Sequence, residues 1–395
     1  MSAITREKLW QSVELLKRSG LDAWLTFVRE TVEACDPALP LILEGGLTWV
    51  SALLVFPSGR KIAIVGNFDA DPLRACGDWD EVVPYVQGIR DQLIDVLERE
   101  IPSEKPRIGV NYSTDDCKAD GLSHGLFMLL SSYLQGTRFE GSLESGESVV
   151  TRLRAQKTPT ELARIRSAIA ETSRLFDDIA AFAKLGTTED AVHSMVHAKM
   201  AERGLGFAWD SVGNPIVNSG PDSMVGHGVP SSHIRIAEGH IFHVDLGVIR
   251  DGYSSDIQRS WYVGAEIPED VHRAFTAVRG AISAGSEVLA VGVQGWQVDE
   301  AARRFLMDQG YPEYMHAFGH QVGRVAHDGG AVLGPRWDRY GRTPYIPVEP
   351  NEVYTLELGV FVEGRGYLGI EEMVCVQEDG LEWLSTRQDR MLTLQ

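Results

Sequence analysis

The stretch HVDLGVIRDGYSSD, residues 243–256, constrains this chain most. Apolar and polar residues alternate on both sides of Asp251-Gly252, a dipeptide suited to a two-residue hairpin turn. If HVDLGVI and YSSDIQRSWYV pair around that turn, Arg250 faces Tyr253 and Asp245 faces Gln258. Asp256 is then a same-face diagonal neighbour of Asp245, and diagonal Cβ atoms lie roughly 7–8 Å apart, so both carboxylates reach one point. Val244, Leu246, Val248 and Ile257 line the opposite face. One face is built for a core, the other for an anion pair.

Two carboxylates aimed at one spot repel, and a low dielectric raises the cost unless a proton or a cation relieves it. Three readings compete: an exposed hairpin, a pair sharing a proton for acid catalysis, and a metal site. Further ligands decide among them. YTLELGVFVEGRGYLGIEEMVCV reads as a second hairpin, with Glu357 in one strand and Glu371 and Glu372 in the other. A three-residue loop at Gly364-Arg365-Gly366 sets Glu357 opposite Met373 and makes Glu371 its same-face diagonal neighbour; a two-residue loop selects Glu372 instead. On its own, such a Glu is more often a surface residue.

Between the hairpins, MHAFGHQVGRVAHDGG carries His316, His320 and His327, three of the chain's 11 histidines. A lone His is more often a satisfied core or surface residue than a ligand, yet one of these could complete the carboxylates. His316 and His320 have the spacing of a helical zinc pair, but Gly319 and Gly323 argue against a helix.

A chain of 395 residues with 44% hydrophobic content has room for two domains and a sizeable core. REKLWQSVELLKRSG places Leu9, Val13 and Leu16 at helical spacing and stops at Gly20, before the strand-like LDAWLTFV. WVSALLVFP, KIAIVG and RIGVNY read as short buried strands, and DQLIDVLEREI as a helix. Residues 1–150 therefore form an α/β domain, with no phosphate loop. Thr158, Pro159 and Glu161 carry the chemistry of a helix start and open a second domain, 151–395. There a sheet is expected beside helices at about 160–182, 188–203, 268–290 and 296–309. A formal charge of −19 opposes binding to nucleic acid. No apolar run reaches the roughly 20 residues of a membrane span, and MSAITREKLWQ lacks a secretory apolar stretch, so no membrane partner and a cytoplasmic location are expected. Cys35, Cys76, Cys117 and Cys375 have no CxxC spacing and read as reduced structural thiols.

Together these residues resemble the metallopeptidase family of methionine aminopeptidase, aminopeptidase P and prolidase, the pita-bread fold, with creatinase as a non-metal relative. The matching order is Asp245 in VDLG, Asp256 in SSD, His320 in HAFGHQVG, Glu357 in TLELG and Glu371 in GIEEMVCV. VTRLRAQKTPTELARIRSA and EGHIFHVDLG are similar to the family's entry to the catalytic domain and its approach to the first Asp. The resemblance implies an α/β (α+β) chain, a creatinase-type N-terminal domain followed by a pita-bread catalytic domain with a curved antiparallel sheet. It implies a dinuclear centre in which Asp245 chelates one metal, His320 binds the other, and Asp256, Glu357 and Glu371 complete or bridge the pair. Such oxygen-rich ligands suit Mn²⁺, with Co²⁺, Fe²⁺ or Zn²⁺ as alternatives, and a bridging water becomes the nucleophile. Glu357 doubles as proton shuttle.

His227 in SGPDSMVGHG, His316 and His327 match family positions that bind substrate and stabilise the tetrahedral intermediate. The implied protein is a homodimeric Xaa-Pro dipeptidase or aminopeptidase acting on short peptides. Gly369 departs from the pattern, since prolidase and aminopeptidase P usually carry Arg there; Arg324, Arg342 and Arg365 are candidates to replace it. TLELG stands for TIEPG, and His327-Asp328 for His-Glu, neither removing a ligand. Gly369 favours a second function, hydrolysis of small metabolites at the same metals. A third, a non-catalytic binding module, is opposed by retention of all five ligands.

Overall fold

A computed structural model describes residues 3–33, 36–226 and 228–395, and the chain divides into two compact units, Met1–Arg154 and Ala155–Gln395. In the first, helix α1 (Ala3–Ser19) is followed by strand β1 (Ala23–Val28), helix α2 (Leu39–Ile42) and strands β2 (Ser51–Val55) and β3 (Lys61–Gly66). Helix α3 (Asn67–Cys76), strand β4 (Glu81–Tyr85), helix α4 (Arg90–Glu100) and strand β5 (Ile108–Val110) come next, then α5 (His124–Leu134), β6 (Leu143–Ser145) and α6 (Glu147–Ala155). The strands form one mixed sheet in the order β4-β3-β2-β1-β5-β6. Trp24 and Val28 share a core with Leu9, Val13 and Leu16 of α1, whereas Leu25 and Phe27 share another with Leu93 and Leu97 of α4 and Leu130 of α5. Helices cover both faces, so these strands read as continuous apolar runs without alternation.

In the second unit, the predicted capping box is in place. Thr158 Oγ1 accepts from the Glu161 N–H (3.3 Å), and Glu161 Oε2 accepts from the Thr158 N–H (2.8 Å), starting α7 (Pro159–Phe182). Helix α8 (Glu189–Glu202), strands β7 (Gly206–Phe207), β8 (Ile216–Ser219), β9 (Ile241–Leu246), β10 (Val248–Arg250), β11 (Tyr253–Ser254) and β12 (Ile257–Val263) follow. Helices α9 (Glu269–Val288) and α10 (Gly295–Asp308) precede β13 (Val353–Val362), β14 (Gly366–Gln377), β15 (Gly380–Trp383) and β16 (Leu392–Leu394). Three sheets result, β16-β12-β9-β8, β11-β10-β7 and β13-β14-β15. Val278, Ile282, Ala302 and Leu306 of α9 and α10 share one core with Leu356, Leu358 and Ile370 of β13 and β14.

The first hairpin has the expected register, Arg250 opposite Tyr253 and Asp245 opposite Gln258, with Asp251 and Gly252 at φ 51° and 77°. Its ladder is interrupted beside Gly247, where a Cβ would meet a Trp209 ring carbon at 2.4 Å and the Ser255 carbonyl at 2.5 Å. One hairpin thus serves two sheets. The second hairpin corrects the expected register. Val362 pairs with Gly366, so the loop is Glu363–Arg365, and Glu357 lies directly opposite Glu371 rather than diagonal to it. A slip of two residues preserves faces, because side chains alternate with period two. Glu371 therefore still shares Glu357's side. Among the described residues no helix is long and apolar enough to cross a membrane. Cys76, Cys117 and Cys375 are free thiols, and Cys35 lies outside the described residues.

Candidate metal centre

The carboxylates arrive on paired strands. Asp245 stands on β9 and Asp256 immediately before β12, where its N–H reaches the Met373 sulfur at 3.3 Å. Glu357 and Glu371 are cross-strand partners on β13 and β14. The two sheets are stitched by Ser260, whose hydroxyl donates to the Gly369 carbonyl (2.8 Å) and accepts from its N–H (3.2 Å).

His320 is delivered by an extended segment, as its flanking glycines predict. Glu357 N–H donates to the Phe318 carbonyl (2.8 Å) and Thr355 N–H to the His320 carbonyl (2.9 Å), so residues 318–320 lie along β13 like an added strand. Gly319 permits the approach, since a Cβ there would stand 2.0 Å from the Thr355 carbonyl oxygen. The imidazole points inward, Nε2 lying 3.5 Å from Glu357 Oε1 and 3.7 Å from Asp256 Oδ2. Nδ1 faces the Gln321 carbonyl at 3.4 Å, which places the proton there and leaves the Nε2 lone pair to the carboxylates. Burial, with His327 second, pushes the ring down to about 3, so it stays neutral.

Burial raises all four carboxyls, and repulsion among them adds to it in Asp245, Asp256 and Glu371. Asp245 is raised by burial and then by Glu357; Asp256 by burial, then by Asp245 and Glu357; Glu371 by burial, then by Asp256, Glu357 and Asp245. Burial lifts Glu357 to about 7, and the Gln258 amide opposes it. Among the described residues, Asp245 Oδ1 and Glu371 Oε2 are buried without a hydrogen-bond donor. Ligand atoms of Asp256, His320 and Glu371 come within 4.8 Å of one another. Orphaned anionic oxygens beside an inward imidazole lone pair are a donor set that hard divalent ions fit.

The remaining expected residues divide. The His327 ring meets His320 nearly edge-on at 4.3 Å. His316 lies on an exposed loop, 5.7 Å from the Tyr314 ring, with its carbonyl held by Arg303 (2.8 Å). His227 lies outside the described residues. Glu372, the choice of a two-residue loop, instead pairs with Arg259 (3.0 Å) and accepts from the Ser385 hydroxyl (2.6 Å). Asp328 forms a buried ion pair with Lys157 (3.2 Å). Arg365 is tied to Asp270 and the Gly239 carbonyl, and Arg324 lies over the Tyr253 ring. Neither occupies the place of the missing guanidinium. Arg342 is exposed beside the short turn Thr343–Tyr345.

Three residues near the carboxylates escaped the sequence reading, His243, Tyr314 and Tyr367, and Gln258 was placed there without a role. Burial raises both tyrosine hydroxyls, and Glu357 and Glu371 add to it. Gln258 was legible, since the hairpin register sets it opposite Asp245.

Residues 163–378 match the description of metallopeptidase family M24. The chain belongs to family M24. Its relatives include the probable dipeptidase PepE of Mycobacterium tuberculosis, 32% identical over 235 residues; that match spans 59% of this chain and only 59% of PepE. The Xaa-Pro dipeptidase of Lactobacillus helveticus is 24% identical over 333 residues, 82% of this chain and 86% of the relative. The X-Pro aminopeptidase structure from Thermotoga maritima superposes with a TM-score of 0.68 at 25% identity, covering 98% of this chain and 99% of that one. The α/β chain thus has the pita-bread fold of M24 peptidases.

Proposed function

We propose that this M24 member is a dinuclear metal-dependent peptidase of the Xaa-Pro type, a dipeptidase or aminopeptidase. The observation that carries the reading is the convergence of Asp256, His320 and Glu371 within 4.8 Å, beside the orphaned oxygens of Asp245 and Glu371. Asp245, Asp256, His320, Glu357 and Glu371 would hold the ions. When bound, two divalent ions, Mn²⁺ foremost, offset four negative charges and supply a water activated near neutral pH. Glu357 is the proton shuttle of this reading as well as a ligand. His227, His316 and His327 bind the peptide and steady the developing negative charge. The same proposal includes a homodimer, a cytoplasmic location and a creatinase-like role for residues 1–150.

Gly369 supports a second reading, in which the same metals act on a C–N bond of a small metabolite, because no guanidinium stands there to grip a peptide. Metal analysis of purified protein with and without chelator, beside hydrolysis of Xaa-Pro peptides after Mn²⁺ addition, separates the two. Two metals per chain with peptide cleavage is the expected result. Two metals without cleavage favours the metabolite, and no metal under any condition overturns the proposal.

A further inference from the structure

A Cβ at Gly369 would stand 2.7 Å from Gln258 Oε1, 2.7 Å from Tyr367 Cε1 and 2.9 Å from His243 Nε2. No side chain fits while those three hold their positions. Gln258 and His243 are 6% and 3% exposed, so their polar atoms must find partners inside the protein. Gln258 Nε2 donates to Glu357 Oε2 at 2.9 Å. A carboxylate only accepts, so the amide oxygen turns the other way, toward His243 Nε2 at 3.0 Å, and that ring nitrogen carries the proton. The His243 ring is itself packed against Tyr367, which it meets edge-on at 5.1 Å.

The geometry points to Gln258, oriented by His243, as a positioning residue for Glu357. The contacts run from β9 through β12 to β13 and hold Oε2, leaving Oε1, 3.5 Å from His320 Nε2, to face the candidate ions. Gly369 is the other half of the device: its bare backbone makes room for the pair. A neutral amide thus supports the carboxylate in the space that a side chain at position 369 would fill. The inference rests on the proposed role of Glu357 as ligand and shuttle.

His243→Leu removes the N–H that orients the amide, whereas His243→Gln keeps an N–H donor. Mn²⁺ binding to the stripped full-length variants is measured by calorimetry, and kcat and KM on an Xaa-Pro peptide with Mn²⁺. Loss of outer partners of metal ligands commonly costs about 10- to 100-fold. His243→Leu should weaken Mn²⁺ binding and lower kcat by about that factor with KM changed about twofold or less, and His243→Gln should recover most of both. Gln258→Leu should repeat the loss, and the double variant should be no worse than Gln258→Leu alone. Equal behaviour of His243→Leu and His243→Gln overturns the inference. Should His243→Leu not fold, Gln258→Leu with wild-type Mn²⁺ affinity and kcat overturns it. A wild type that binds Mn²⁺ but cleaves no Xaa-Pro peptide sinks the substrate proposal alone, because the calorimetric comparison still decides the inference. A wild type that binds no Mn²⁺ overturns both.

Discussion

Asp256 sits where three other carboxyls and a neutral imidazole converge, and burial makes its charge expensive without a counter-charge. Asp256→Ala should therefore abolish metal binding and activity together, read by metal analysis and peptide hydrolysis; unchanged metal content in the variant would refute the ligand assignment. At Gly369 the expectation concerns stability. The added Cβ of Gly369→Ala overlaps three neighbours, and overpacking of this kind costs about 1–3 kcal/mol. Gly125→Ala is the matched control, since a Cβ placed there in α5 has nothing within 4 Å and helix propensity favours alanine. Urea unfolding of both variants should show a loss for the first and none for the second. The ligand types were legible in the sequence because acidic residues inside apolar strands are conspicuous. His243 was not, since a buried histidine beside an amide leaves no pattern in the chain.

Among the elements, turn chemistry decided what could be read. Asp251-Gly252 admits one tight turn, so the first register followed directly, whereas Gly364, Arg365 and Gly366 allow several loops and the true one lies one residue earlier. The face assignment survived because the error was even. Strands β4 and β6 were missed for a different reason: EVVPY is largely half-buried and carries a proline, and LES is too short for any period. Helices α3, α5 and α6 also passed unread; α5, HGLFMLLSSYL, is apolar almost all round. The histidine segment yields its own test. Gly319→Ala forces a Cβ to within 2.0 Å of the Thr355 carbonyl, so the segment must leave β13. The variant should lose Mn²⁺ affinity by more than about tenfold; calorimetry showing native affinity would mean that the added strand does not set the position of His320.

Over the whole second unit, a buried acid outside the candidate site should shape the pH dependence of folding. Burial lifts Glu352 to about 7, although the Tyr354 hydroxyl (2.6 Å) and the Glu349 N–H (3.0 Å) donate to it. Its unfolded value is about 4.3, so between the two the folded chain holds the extra proton and stability falls as pH rises, by roughly 3 kcal/mol across the window. With saturating Mn²⁺ to silence the site carboxylates, urea unfolding at pH 5 and pH 8 should show that fall in wild type and a smaller one in Glu352→Gln; identical slopes would count against it. The five candidate ligands are spread from Asp245 to Glu371 over two hairpins and a separate glycine-flanked segment. Pairings between such distant stretches form slowly. A chain with either hairpin unmade holds only a fraction of the ligand set, so ion uptake during refolding becomes a clock for the last long-range pairings, and a half-assembled molecule is barred from sequestering the metal it would later need.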